Sequence, residues 1–301
     1  MAIPAISSYL MPSAADLPSN KVYWRADPKR SVLLIHDMQQ YFLTAYTPGE
    51  SPVIELIKNI QLLKTQCAGL GIPIVYTAQP GAQRPEDRGL LQDFWGPGLA
   101  ADPAQTKIAD EVASGKNDTM LTKWRYSAFK RTKLEEFMQA QGRDQLIICG
   151  VYAHIGCLLT ACDAFMQNVE VFFVGDAVAD FSSGHHKMAM TYAADNCAVI
   201  TTTALLLTEL KNIQRSNNET VSEASSQCLT LQLVRQQVAA LLDEAPSDID
   251  DSENLVDKGL DSIRIMSLVE KWRSIGVDVT FMKLAKGPTI SNWWSLLSSS
   301  K

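Results

Sequence analysis

Ser31-Val-Leu-Leu-Ile-His-Asp37 is a short apolar run that stops at two polar residues. Four more runs share its character: Ile72-Pro-Ile-Val-Tyr-Thr77, Gln145-Leu-Ile-Ile-Cys-Gly150, Glu170-Val-Phe-Phe-Val-Gly-Asp176 and Cys197-Ala-Val-Ile-Thr201. Near-continuous apolar strands of this length are buried on both faces, as strands of parallel sheets are. Helix-length segments at 51–70, 130–141, 156–168 and 184–195 lie between them. Strand alternating with helix predicts an α/β fold, a doubly wound parallel sheet with flanking helices. Sites in such sheets lie beyond the carboxyl ends of the strands. Asp37 and Gln79, polar residues that close strands, are therefore the first to examine.

The chain has 301 residues, 46% apolar and 20% charged, enough for two globular domains that need neither metal nor disulfide to fold. Its net charge of −6 argues against nucleic acid or an anionic membrane as the main partner. The first 20 residues lack the basic and apolar regions of a secretory signal, and no apolar run reaches the ~18 residues of a membrane span. The six cysteines are scattered, without metal-ligand spacing, which fits structural thiols in a reducing cytoplasm. No metal site is expected.

Composition changes at KNIQRSNNETVSEASSQ, residues 211–227, which is polar and reads as a linker. The expected organisation is therefore a domain over 1–210, a linker over 211–227 and a small helical bundle over 228–301. In the bundle Val234, Val238, Leu241 and Leu242 share one helix face, and Ile265, Val269 and Trp272 another.

Gly259-Leu-Asp-Ser-Ile263 opens the second helix of that bundle. It offers a serine hydroxyl at a helix N-terminus, where a phosphodiester is electrostatically favoured. Asp261 or Ser262 acting as a plain N-cap is the alternative. With the flanking DDSENLVDKGL and the later Phe281-Met-Lys-Leu284 and Pro288-Thr-Ile-Ser-Asn-Trp293, the segment resembles carrier domains of nonribosomal peptide synthetases, over about 227–298. The resemblance implies covalent 4′-phosphopantetheine on Ser262. It also makes the second helix the expected docking face; Met266 and Phe281 are each either a partner contact or core.

Three landmarks mark the longer domain: Leu33-Leu-Ile-His-Asp-Met-Gln-Gln-Tyr-Phe42, Lys123-Trp-Arg-Tyr-Ser-Ala-Phe129 and Gly150-Val-Tyr-Ala-His-Ile-Gly-Cys157. Together they resemble the isochorismatase-like hydrolase family over about 15–210. Cysteine hydrolases of that family use an Asp, a Lys and a Cys. Here the position matching the Cys is Gly156, and Cys157 is turned about 100° away on a helix. The resemblance therefore points away from thioester chemistry and towards vinyl-ether cleavage, which needs a proton on the terminal methylene and then water.

By the same resemblance Asp37 is the acid and Lys123 its neighbour. Burial raises a carboxyl pKa and a nearby cation lowers it, so the protonation state of Asp37 stays open at this stage. Gln79 and Arg88 are expected to hold substrate carboxylates, Arg88 through its bidentate fork. Tyr152 fits a substrate contact, Gly156 leaves room for substrate, and Phe42 and Trp95 either wall the substrate ring or belong to the core. Arg84 and Arg125 read as surface or structural groups. His36 is expected on the strand face opposite Asp37, and His154 has no evident acidic partner in sequence. Asp176 and Asp180 read as loop caps as readily as functional groups.

In this order the two resemblances suggest the bifunctional isochorismatase (isochorismate lyase)/aryl carrier proteins of catechol siderophore biosynthesis, the type serving vibriobactin and enterobactin. They imply hydrolysis of isochorismate to 2,3-dihydro-2,3-dihydroxybenzoate and pyruvate. The carrier would receive 2,3-dihydroxybenzoate from a separate adenylating enzyme, after a phosphopantetheinyl transferase has primed it, and pass it to a condensing nonribosomal peptide synthetase. A cytoplasmic homodimer is expected. The rival readings are an amidase using Cys157 and a decayed scaffold with a working carrier.

Overall fold

The computed structural model describes residues 3–226, 229–274, 277 and 279–298, and the side chains of all of these except 216–226 and 274. It divides into two compact units, Met1–Arg215 and Ser216–Lys301.

The first unit is built on a six-stranded parallel sheet of order β3-β2-β1-β4-β5-β6. Its strands are β1 (Ser31–His36), β2 (Ile74–Ala78), β3 (Thr119–Thr122), β4 (Gln145–Val151), β5 (Glu170–Ala179) and β6 (Val199–Thr201). Strand β1 lies at the centre because all six of its residues are buried. Each large apolar side chain so buried contributes about 1.5–3 kcal/mol. Leu33, Ile35, Ile147, Cys149, Phe172 and Val174 face one side of the sheet, while Val32, Leu34, Leu146, Ile148, Val171 and Phe173 face the other.

Helices cover both faces. On the first, α1 (Val53–Gly69) packs Leu56, Ile60, Leu63 and Cys67, a stripe at helical spacing, beside Leu206, Leu207 and Leu210 of α5 (Thr203–Ser226). On the second lie α2 (Leu134–Ala140), α3 (Leu158–Met166) and α4 (Ser183–Asn196). Among the described residues, no helix is long and apolar enough to cross a membrane.

Two differences from the sequence reading concern the backbone. Strand β3 has no apolar run: it is an edge strand with one buried residue, Leu121, so no hydrophobic signal marks it. The segment read as a linker is helical as far as Ser226, because α5 continues its turns through the polar residues. Residue 227 lies outside the described residues.

The second unit packs α6 (Leu231–Leu242), α7 (Ser262–Ser274), α8 (Phe281–Ala285) and α9 (Ile290–Ser298) around Trp272 and Trp293. The two indoles meet edge to face at 5.9 Å, and each ring N–H has a partner, Gln237 Oε1 for Trp272 and the Leu284 carbonyl for Trp293.

Candidate functional site

Order reverses in the sheet between β1 and β4: the chain leaves β1 towards β2 and leaves β4 towards β5. A crevice opens beyond the strand ends at such a point. Asp37 follows β1, Gln79 follows β2, Lys123 follows β3, and Tyr152 to Gly156 follow β4, with the Val151–Tyr152 peptide cis. The structure brings Asp37, Gln79, Arg88, Lys123, Tyr152 and Gly156 to one cavity there, with Phe42 and Trp95 in its wall.

Asp37 is the hub. Its Oδ2 lies 2.9 Å from Lys123 Nζ, and both side chains are buried. Thr77 Oγ1 donates to Oδ1 at 2.6 Å, and Gln79 Nε2 donates to Oδ2 at 3.2 Å. Burial pushes the Asp37 carboxyl up, but the charge of Lys123, with His36 and the Thr77 hydroxyl, outweighs it and holds the carboxyl below its ordinary value. The question left open by the sequence is thus answered for the ligand-free site: Asp37 is a carboxylate at neutral pH. Lys123 Nζ also donates to the Arg125 carbonyl at 2.8 Å, which fixes its direction.

Arg88 extends this network. Its Nη1 donates to Gln79 Oε1 at 3.3 Å and its Nε to the Gly96 carbonyl at 3.0 Å. Arginine only donates and a carboxylate only accepts, so the Gln79 amide between Arg88 and Asp37 has one orientation. Burial lowers the Arg88 pKa. A Cβ at Gly98 would come within 2.9 Å of the guanidinium, so the close approach of that backbone, at φ +80°, requires glycine.

Aromatic groups form the rest of the wall. Tyr152 packs on Phe42 edge to face at 5.9 Å and donates its hydroxyl to the Phe42 carbonyl at 2.8 Å. Trp95 Nε1 donates to Tyr126 Oη at 2.7 Å, and Phe181 lies 4.3 Å from the Tyr152 ring centre and 5.9 Å from that of Trp95. Sequence reasoning missed Thr77, Tyr126 and Phe181. Each is next to a strand end or inside a quoted landmark, which is the signal that was available.

The structure corrects several expectations. His36 lines the cavity beside Asp37 instead of facing away. Alternation fails because Asp37 leaves extended geometry with φ +49°, so the two side chains turn to the same side. The space at Gly156 is not free for substrate: a Cβ there would lie 2.1 Å from His36 Cε1, so the imidazole fills it. Arg125 lines the cavity, although its Nη1 donates to the Asp87 and Trp124 carbonyls.

His154 has an acidic partner after all, because β5 delivers Asp180 to it: Nδ1 lies 2.6 Å from Asp180 Oδ1. The His185 ring stacks on His154 at 4.4 Å, tilted by 11°. Asp180 also caps His154 N and Phe181 N, so its carboxylate is already engaged by main-chain donors. Asp176 caps the first turn of α5 through Thr203.

Cys157 is fully buried in the core against α3, and burial pushes its thiol well above the ordinary value. It does not line the cavity, and a nucleophile needs the thiolate. Among the described residues, no thiol lines the cavity for an amidase to use.

In the second unit, Asp261 Oδ1 accepts from Arg264 N at 2.8 Å and so takes the N-cap. The Ser262 side chain is left exposed at the first turn of α7. Ile263 and Met266 beside it are 80% and 53% exposed, so Met266 is not core, whereas Phe281 packs on the core margin.

Residues 31–204 match the isochorismatase domain family and residues 232–297 the phosphopantetheine attachment site family. The chain is 57% identical over 300 residues to the isochorismatase of Bacillus subtilis (strain 168), covering 99% of this chain and 96% of that one. It is 45% identical over 298 residues to enterobactin synthase component B of Escherichia coli (strain K12), covering 99% of both. A cysteine hydrolase from Pseudomonas syringae superposes with a TM-score of 0.59 at 21% identity, over 64% of this chain and 97% of its own, which shows the shared fold. With a hydrolase domain followed by a phosphopantetheine attachment domain along its length, the chain belongs to the isochorismatase family, in its bifunctional isochorismatase and aryl carrier branch.

Proposed function

We propose that the first unit hydrolyses the vinyl ether of isochorismate to 2,3-dihydro-2,3-dihydroxybenzoate and pyruvate with Asp37 as proton donor, and that the second carries 2,3-dihydroxybenzoate on Ser262. The observation that carries this reading is the buried Asp37 carboxylate, bonded to Lys123 and Gln79, in a cavity with no thiol among the described residues.

Asp37 is ionised in the ligand-free site, so it must gain a proton before it can give one. The substrate supplies the reason. Two carboxylates arriving beside Asp37 add negative charge to a buried site, and negative charge favours the neutral carboxyl. Arg88, aligned by Gly96 and Gln79, takes a substrate carboxylate and keeps the dianion bound. Lys123 holds the Asp37 oxygen in position. Protonation of the methylene carbon gives an oxocarbenium, water adds, and the hemiketal collapses to pyruvate and the ring alcohol. Phe42, Trp95 and Tyr152 exclude bulk water and flank the ring. The test is pyruvate release from isochorismate: the wild type releases it, and Asp37→Asn releases it at least about 100-fold more slowly.

Ser262 fits 4′-phosphopantetheine because its hydroxyl is exposed at a helix start and Asp261, not Ser262, serves as cap. The arm supplies a thiol on which an acyl group travels as a thioester. In this reading a phosphopantetheinyl transferase installs it, a separate adenylating enzyme loads it, and a condensing nonribosomal peptide synthetase unloads it. Exposed Ile263 and Met266 offer these partners an apolar contact. Leu159, Phe165 and Met166 on α3 and Met188 and Tyr192 on α4 are exposed apolar residues that support self-association as a homodimer. A cytoplasmic place of action accords with the free thiols among the described residues.

A further inference from the structure

His36 lies at the base of the cavity with one ring nitrogen unpartnered. Its Nδ1 is 2.8 Å from the Val151 carbonyl oxygen, which only accepts, so Nδ1 carries the proton. Burial lowers the His36 pKa to about 4, although Asp37 acts the other way, and the ring is neutral at working pH. The remaining nitrogen, Nε2, is then an acceptor lone pair. It is buried and has no hydrogen-bond partner among the described residues.

The groups around it define what it can take. The Tyr126 main chain also interacts with the ring and acts against the larger effect of burial. Asp37 only accepts, and the Lys123 nitrogen is bonded to Asp37 and to the Arg125 carbonyl. A neutral Nε2 offers a lone pair and takes a donor, and water is the smallest donor that fits a buried position. Gly156 permits the arrangement, since any Cβ there would displace the ring.

We infer that His36 is a further catalytic residue of the hydrolysis: its Nε2 lone pair holds the attacking water and takes its proton. This rests on the reaction proposed above. Asp37 gives its proton to the methylene carbon, the π pair forms the C–H bond, and an oxocarbenium remains. Water bonds to that carbon through oxygen while one of its protons passes to Nε2. As the ether C–O bond breaks, Nε2–H protonates the departing ring oxygen and Asp37 takes the hemiketal hydroxyl proton. Both groups return to their starting states.

The full-length chain is assayed on isochorismate in D2O, and the isochorismate left at half conversion is examined for deuterium in its methylene. His36→Asn keeps a nitrogen near Nδ1 for Val151 and removes Nε2. The expected result is a fall in kcat of about 100-fold, with deuterium accumulating in the recovered isochorismate because the oxocarbenium returns its proton before water captures it. His36→Gln, whose amide reaches the Nε2 position, should recover part of the rate and suppress the label. A wild-type kcat in His36→Asn, or a slow variant whose recovered isochorismate carries no label, overturns the inference. If His36→Asn unfolds, His36→Phe, which keeps the ring volume under Gly156, is read by the same two outcomes. Failure of the reaction itself shows separately, as no pyruvate from the wild type.

Discussion

Lys123 Nζ lies 2.9 Å from Asp37 Oδ2, and both side chains are buried at the cavity wall. A buried pair of this kind is weak as a source of net stability, but breaking it is costly, because one charge is left without its partner. The pair therefore sets the fragility of the site and, in the proposed reaction, its chemistry.

Asp37→Asn should slow pyruvate release by about 100- to 10,000-fold, the range for loss of a general acid. It should also destabilise the first unit by about 3–5 kcal/mol, since Lys123 stays buried opposite a neutral amide. Steady-state kinetics and thermal melting check the two parts. Asp37→Asn with wild-type turnover would remove Asp37 from the chemistry.

Arg88→Lys keeps the charge and loses the fork that joins Gln79 and the Gly96 carbonyl. Charged hydrogen bonds are worth about 1.5–3 kcal/mol, so KM for isochorismate should rise roughly 10- to 100-fold. The fall in kcat should be smaller. An unchanged KM would place substrate elsewhere in the cavity.

Gly156→Ala sets a Cβ 2.1 Å from His36 Cε1. Overpacking of a core costs about 1–3 kcal/mol, and activity should fall as the imidazole is displaced. Adding His36→Ala should restore part of the melting temperature, a coupling that a double-mutant cycle measures. Independent, additive losses would mean that the two residues do not compete for that space.

His36 gives the first unit an acid-sensitive stability. Its pKa is about 4 in the folded chain, against an unfolded value of ~6.5. Between these values the unfolded chain binds the extra proton, so stability falls as pH drops from ~6.5 towards 4, by ~3 kcal/mol in all. Asp37 acts lower: its depressed pKa gives stability that is present above the unfolded ~3.9 and lost as pH falls through the folded value. Melting temperatures from pH 7.5 to 4.5 should therefore fall more steeply for the wild type than for His36→Gln. Parallel curves would contradict a neutral buried His36.

Much of the fold was legible because apolar runs and helical stripes report burial directly. The runs at Ser31, Gln145 and Glu170 became buried strands within a residue or two of their expected starts, and the helix-length segment at 51–70 became a helix over Val53–Gly69. Strand β3 was not legible, since an edge strand with one buried residue leaves no such pattern. Asp37 and Gln79 stood out as polar residues closing strands, Lys123 and Gly156 only through the family resemblance, and Gly156 pointed away from thioester chemistry while leaving Cys157 as a rival. Ser262 was legible in the same way, from its motif.

What only the tertiary structure decided was how these residues act on one another. Whether Asp37 is charged depends on burial set against Lys123, His36 and Thr77, groups up to 86 positions away in the chain and brought together by the parallel sheet. The side to which His36 turns depends on one dihedral angle at Asp37, and strand periodicity gave the wrong side. The link between His36 and Gly156 likewise needed the contact itself. Sequence supplied the residue types and the order of strands; distances and desolvation, which fix protonation and reach, exist only once the chain is folded.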